Sequence, residues 1–157
     1  MKRGTTGEAR VHISAPPEKV YDLVSDVTRM GEWSPETVKC EWIDGATGPA
    51  VGARFKGSNK RGLFRWSTKP EVVAADPGRE FAFITPGSGS TKWTYHFEAS
   101  ADGGTDATES FELLADMPQY IVLADRYLLG IKDRTADLEQ AMQQTLERIK
   151  RAAEGSA

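Results

Sequence analysis

Polar and apolar residues alternate over Ala9–Ser14, so this stretch predicts a strand with Val11 and Ile13 inward and His12 outward. Ser14-Ala15-Pro16-Pro17-Glu18 then opens a helix. Ser14 or Ala15 caps it, the prolines sit where no N–H is needed, and Glu18 lies at the positive end of the dipole. Val20, Leu23, Val24 and Val27 follow at helical spacing, and a second short turn covers Thr28 to Trp33 before Ser34-Pro35. The period then returns to two. Val38, Cys40 and Trp42 share one face, then Ala53, Phe55 and Gly57, then Phe64, Trp66 and Thr68 running on to Val72-Val73. Asn59-Lys60-Arg61-Gly62 signals a hairpin, and Pro70 a bulge or an edge. Phe81 with Phe83, Trp93 with Tyr95 and Phe97, and Ala107 with Glu109, Phe111 and Leu113 mark three more strands. Turns at Asp44–Pro49, Asp76-Pro77-Gly78, Pro86–Ser90 and Ala101–Gly104 separate them.

From Pro118 to Ala152 the period becomes 3.6. Tyr120, Leu123, Ala124, Tyr127, Leu128 and Ile131 form a stripe that Leu138, Met142, Leu146 and Ile149 continue. The opposite side carries Lys132, Asp133, Glu139, Gln140, Gln143, Glu147 and Lys150, and Gly130 marks a kink. Seven strands joined by hairpins form an antiparallel sheet with one apolar face, and this amphipathic helix is its cover. The fold class is therefore α+β: a curved seven-stranded sheet wrapped around a long C-terminal helix, with two short helices between strands 1 and 2. Length, 157 residues, sets a single domain spanning 1–157 with an ordered core of about 8–152 and a frayed tail through Ser156 and Ala157.

Charge narrows the function. Twenty Lys and Arg against 23 Asp and Glu give a net −3, without the basic footprint of a nucleic-acid binder or a polybasic membrane anchor. The basic N-terminus has no apolar run behind it, and no stretch is long and apolar enough to span a bilayer. Lone Cys40 fits a reducing, cytoplasmic setting and reads as a small core residue. No metal-ligand spacing, phosphate-binding glycine loop or nucleophile elbow is present, Gly87-Ser88-Gly89 being only a loop between strands; the expectation is no cofactor and no metal.

The inward set is rich in rings: Trp42, Phe55, Phe64, Trp66, Phe81, Phe83, Trp93, Tyr95, Phe97 and Phe111, with Tyr120 and Tyr127 from the helix. These rings either fill the core or leave an aromatic pocket of roughly a few hundred Å³, and the residues alone favour neither. Glu109 shares their phase. An inward carboxylate must be paired, wetted at a strand end, or raised in pKa, and in the last case it can orient a ligand or move protons. Tyr95, Tyr120, Tyr127, Asn59 and Thr68 offer further hydrogen bonds. His12 and His96 fall on outward faces.

Ile13–Val27, Thr28–Glu36, Val51–Gly57, Asp76–Phe83 and Gly104–Glu112 resemble the corresponding segments of the polyketide cyclase/dehydrase-like proteins of the START-related, Bet v 1-like helix-grip (SRPBCC) superfamily. The resemblance runs from about residue 9 to 150. It implies a hydrophobic cavity between the sheet and the C-terminal helix, and binding of a lipid, polyketide or similar apolar molecule. Three functions follow. The first is binding or transport of a small hydrophobic ligand, lined by Trp33, Trp42, Phe55, Trp66, Phe83, Trp93, Tyr95, Glu109, Phe111, Tyr120, Leu123 and Tyr127. The second is a cofactor-free polyketide cyclase or dehydratase with Glu109 and a tyrosine as acid and base. The third is a protein-interaction module with a vestigial cavity. A binding protein is favoured over an enzyme. The expected partner is the ligand, with a homodimer left open and stable membrane insertion excluded.

Overall fold

A computed structural model describes residues 1–87, 89–128, 130–131 and 133–155. Ser88, Lys132, Ser156 and Ala157, assigned above to a loop, a polar helix face and a tail, lie outside the described residues. The element order is β1 (Thr6–Ile13), α1 (Pro17–Ser25), a 3-10 turn (Val27–Glu32), β2 (Thr37–Ile43), β3 (Arg54–Arg61), β4 (Phe64–Thr68), β5 (Glu71–Asp76), β6 (Glu80–Thr85), β7 (Thr91–Ala99), β8 (Thr105–Leu113), α2 (Gln119–Leu128) and α3 (Arg134–Gly155). All pairings are antiparallel in the order β1-β8-β7-β6-β5-β3-β2, with β4 pairing β3. β3 meets both β4 and β5 along the same edge, so the two occupy one position interrupted at Lys69-Pro70. Proline has no N–H for the ladder, and the strand expected to run on from Thr68 to Val72, with a bulge or an edge at Pro70, is instead broken there in two. The sheet therefore has the seven positions predicted.

Helix α1 begins on Pro17 with Pro16 as its cap and no side-chain cap bond, so neither Ser14 nor Ala15 caps it. The Ser14 N–H instead donates to Glu154 Oε2 at 2.7 Å. Val20, Tyr21 and Val24 are buried, and the Tyr21 ring meets Phe81 and Phe97 edge-on at 6.5 and 6.2 Å.

Helix α3 lies along β1. Its apolar stripe, Met142, Leu146, Ile149 and Ala153, is buried. Its polar side does not simply face water. Glu139 accepts from the Glu8 N–H, Gln143 and Lys150 donate to the carbonyls of Arg10 and His12, and Glu154 takes the Ser14 N–H. These are alternate residues of an edge strand, the ones whose backbone groups have no neighbouring strand. The helix thus closes the β1 edge.

The single C-terminal helix expected over 118–152 is two helices. Gly130, at φ +70°, separates α2 from α3. α2 is also rotated from its predicted facing. Tyr120, Leu123, Tyr127 and Leu128 are exposed, and the buried residue is Asp125. Asp125 turns toward Arg134 in the first turn of α3, with Oδ2 3.9 Å from Nε. With the axis broken at Gly130, a stripe continuous in sequence cannot stay continuous in space.

Candidate functional site

Strand registers set the inner face of the sheet in rows. One row runs Gly7, Phe111, Trp93, Phe83, Val72 across β1, β8, β7, β6 and β5. The next runs Ala9, Glu109, Tyr95, Phe81, Ala75. Small residues on β1 let the Phe111 ring of β8 turn inward under α3. A Cβ on Gly7 would stand 2.6 Å from Cε1 of Phe111, so this position has room for no side chain while that ring stays in place.

The rings pack on one another. Phe83 meets Phe55 at 5.2 Å and Phe81 at 6.0 Å, Phe55 meets Trp42 at 5.8 Å, and Trp93 meets Phe111 at 5.8 Å. Edge-to-face and tilted pairs of this kind are favoured by the ring quadrupoles. Phe55, Phe83, Tyr95 and Phe111 are buried, and Trp42 and Trp93 half-buried. Trp33 is buried below the 3-10 turn, where its carbonyl accepts from Arg148 and Arg29 stands 5.2 Å over its ring.

Glu109 lies among these residues, 5% exposed. Directly across the ladder, the Tyr95 hydroxyl hydrogen-bonds to its carboxyl. Oε2 of Glu109 is buried with no hydrogen-bond partner among the described residues. Burial raises the Glu109 pKa to about 8, against the smaller opposing effect of the Tyr95 hydrogen bond. At neutral pH this group is therefore mostly a neutral carboxylic acid. Burial also holds Tyr95 well above the usual phenol range, helped by Glu109, and pushes the nearby Cys40 thiol up to about 11. The pair can donate one proton and accept a hydrogen bond in an otherwise apolar wall.

Four predicted lining residues fall outside this cluster. Trp66 is 37% exposed on β4, and Tyr120, Leu123 and Tyr127 are exposed on α2. Phe64, also predicted inward, is 43% exposed. β4 is paired only to β3, and α2 turns its Asp125 side toward Arg134, so neither element presses these rings into the core. The two ends are nevertheless tied together. Arg61 on β3 makes paired bonds of 2.9 Å to Asp137 on α3 and one of 3.0 Å to Glu36, and Arg134 reaches Asp137 at 3.5 Å. This network escaped the sequence reading, because its members come from three separate segments.

Asn59 accepts from Thr37, and Thr68 lies opposite Gly57. His12 sits outward between Asp102 and Asp106 at 2.9 and 3.0 Å, and His96 is exposed. Among the described residues, no cluster of His, Cys, Asp and Glu could hold a metal, and no helix is long and apolar enough to cross a membrane. Depressions of about 500 Å³ over Asp44–Arg54 and about 390 Å³ beside β1, β7 and β8 have neither Glu109 nor Tyr95 in their lining, although the second touches Phe111.

Comparison with known proteins places this architecture. The Polyketide_cyc-like protein Cgl2372 from Corynebacterium glutamicum is 36% identical, with 97% of this chain and 93% of that one covered and a TM-score of 0.63. Major latex-like protein 151 from Panax ginseng, at 16% identity, covers 96% of this chain and 99% of its own with a TM-score of 0.70. The di-domain ARO/CYC protein BexL of the BE-7585A biosynthetic pathway, at 17% identity, matches 96% of this chain over 50% of its own length, TM-score 0.69. The last two show the shared Bet v 1-like fold. No curated protein matches the chain. A family profile described as polyketide cyclase/dehydrase and lipid transport matches residues 5–154, and the chain belongs to that family.

Proposed function

We propose that the protein binds a small hydrophobic molecule, a lipid, polyketide or similar, against the ring-lined inner face of the sheet. Glu109 and Tyr95 form the polar end of the site. The observation that carries this reading is the unpartnered Glu109 Oε2, buried in an aromatic wall beside a tyrosine hydroxyl. A buried oxygen without a partner costs stability, and a ligand hydroxyl or carbonyl would supply the missing bond. Trp33, Trp42, Phe55, Phe83, Trp93 and Phe111 supply the apolar contact. Trp66, Tyr120, Leu123 and Tyr127, exposed on β4 and α2, would close over a guest. Burying apolar ligand surface at about 25 cal/mol per Å² is the driving force. Native mass spectrometry of protein purified from its own host tests the reading: co-purified apolar molecules support it. Repeated failure to retain any, together with no tryptophan response to a fatty-acid and polyphenol panel, refutes it.

The second reading is a cofactor-free cyclase or dehydratase, favoured by the carboxyl held near neutrality. With its pKa at about 8, Glu109 can give a proton to a ketone or hydroxyl of a bound polyketide and take one back, while Tyr95 holds the oxygen. Glu109→Gln separates the two. Ligand affinity within a few-fold and no turnover to lose identify a carrier; retained affinity with abolished product formation identifies an enzyme.

A further inference from the structure

The whole-chain charge of −3 conceals a strong local asymmetry. From Gly45 to Pro70 there are six cations and no acid. Most of this stretch is the β3–β4 hairpin. Its turn is Gly62-Leu63, with Gly62 at φ +59°, and β4 is paired on one edge only. Phe55 and Gly57 point into the core, which puts Lys56, Ser58 and Lys60 on the outer face. The register sets Lys60 directly opposite Arg65 and Ser58 opposite Ser67, with Lys56 and Lys69 next along. Like charges facing each other across a strand pair destabilise it. Among the described residues neither Lys60 nor Arg65 has an ion pair, whereas Arg54 and Arg61 are neutralised by Asp44 and by Glu36 with Asp137. Glu41 stands opposite Lys56 and tempers only that end.

The tip adds a second feature. Leu63 is 98% exposed, and Phe64 and Trp66 follow it into water. An aliphatic residue and two rings at the end of a basic hairpin match the composition of elements that settle in a membrane interface, with aromatics at headgroup depth and cations above them. Lys60 and Arg65 lie two or three residues from Leu63, roughly 7–10 Å at the strand rise. That is the depth over which an interfacial element buries its apolar side.

We propose that the β3–β4 hairpin docks the protein on the surface of a bilayer containing anionic lipid, with Leu63 and Phe64 entering the interface and Lys60 and Arg65 held against the headgroups. An acidic protein or polyanion would use the cations but not the apolar tip, so the bilayer is the better match. The docking is separable from the ligand reading: Phe55 and Trp66 are the hairpin residues that the ligand reading also uses, and the docking contacts at Lys60, Leu63, Phe64 and Arg65 include neither of them, nor Glu109.

The test is co-sedimentation with vesicles of phosphatidylcholine and phosphatidylserine in roughly a 7:3 ratio, against phosphatidylcholine alone. The native protein is expected to bind the mixed vesicles and release them as salt is raised. Lys60→Gln with Arg65→Gln should weaken binding about 25-fold, near fivefold per charge. Leu63→Ser with Phe64→Ser should weaken it roughly tenfold. All four positions are on the surface, and unchanged urea midpoints will verify that each variant folds. No binding to mixed vesicles at low salt overturns the proposal, as does equal binding by the Lys60 and Arg65 variant. Unchanged vesicle binding by the Leu63 and Phe64 variant, abolished by polyglutamate, overturns it in favour of an acidic protein partner. Ligand affinity measured without vesicles is unaffected by any of these outcomes, so the two readings fail separately.

Discussion

Glu109 makes the stability of this protein depend on pH in a direction opposite to that of an ordinary paired carboxylate. Its ordinary value of 4.5 is raised to about 8, chiefly by burial. In the folded state the proton is therefore held more tightly than in the unfolded chain. Below pH 4.5 both states are protonated and nothing is lost. Between 4.5 and 8 the unfolded chain ionises while the folded one does not, so stability falls by about 1.4 kcal/mol per pH unit. Above 8 both are ionised and the loss levels off at about 5 kcal/mol as an upper bound.

Glu109→Gln removes this dependence. The amide oxygen can still accept from Tyr95, but the NH2 puts two donors where the neutral acid had one O–H, costing about 1–3 kcal/mol. The variant should be the less stable protein at pH 5 and the more stable one at pH 9, with the curves crossing between. Urea unfolding followed by circular dichroism at each pH reads the difference directly, on protein stripped of bound molecules. His12, held above its ordinary value chiefly by Asp106, is present in both proteins and cancels. Tyr95 and Cys40, both held above their ordinary values, stay neutral throughout. Parallel curves from pH 5 to 9 would refute the buried, neutral Glu109 on which the binding and catalytic readings both draw.

Three further outcomes are expected. Gly7→Ala drives a methyl against Phe111 Cε1 and Glu139 Cγ, and should lower the unfolding free energy by roughly 1–3 kcal/mol in a denaturant titration. Cys40, buried and pushed to about 11, should react with a disulfide reagent at pH 8 far more slowly in the native protein than in urea; matching rates would contradict its burial. His12 should titrate above 6.5 by NMR because the hydrogen bond its ring donates to Asp106 favours its charged form, so its stabilising effect is present below 6.5 and lost as pH rises through the folded value. Asp106→Asn should move that titration down.

Period-two alternation was a sound guide to the strands, since each has one face on the core: Ile13, Phe55, Phe81, Phe97, Phe111 and inward Glu109 all lie where the alternation puts them. It fails at β4, where Phe64 and Trp66 have the right phase but stay partly in water. Alternation reports which side of a strand is apolar. What covers that side depends on tertiary placement, and α3 packs chiefly along β1.

Helical periodicity has the same blind spot, and two helices expose it from opposite directions. On α2 a stripe of Tyr120, Leu123, Tyr127 and Leu128 looks like a core face and is solvent-exposed, because one glycine at φ +70° disconnects it from the helix that holds the core. On α3 a polar stripe that looks like a solvated face instead satisfies the backbone of β1, through Glu139, Gln143, Lys150 and Glu154. Charge counting over the whole chain misleads for a related reason. Excess acids elsewhere balance the hairpin in the sum, although salt confines an exposed charge's influence to about 8–10 Å. The unit over which charge carries meaning is therefore a patch on one face of one element. On that scale the β3–β4 hairpin is basic and apolar at once in a protein whose total is acidic.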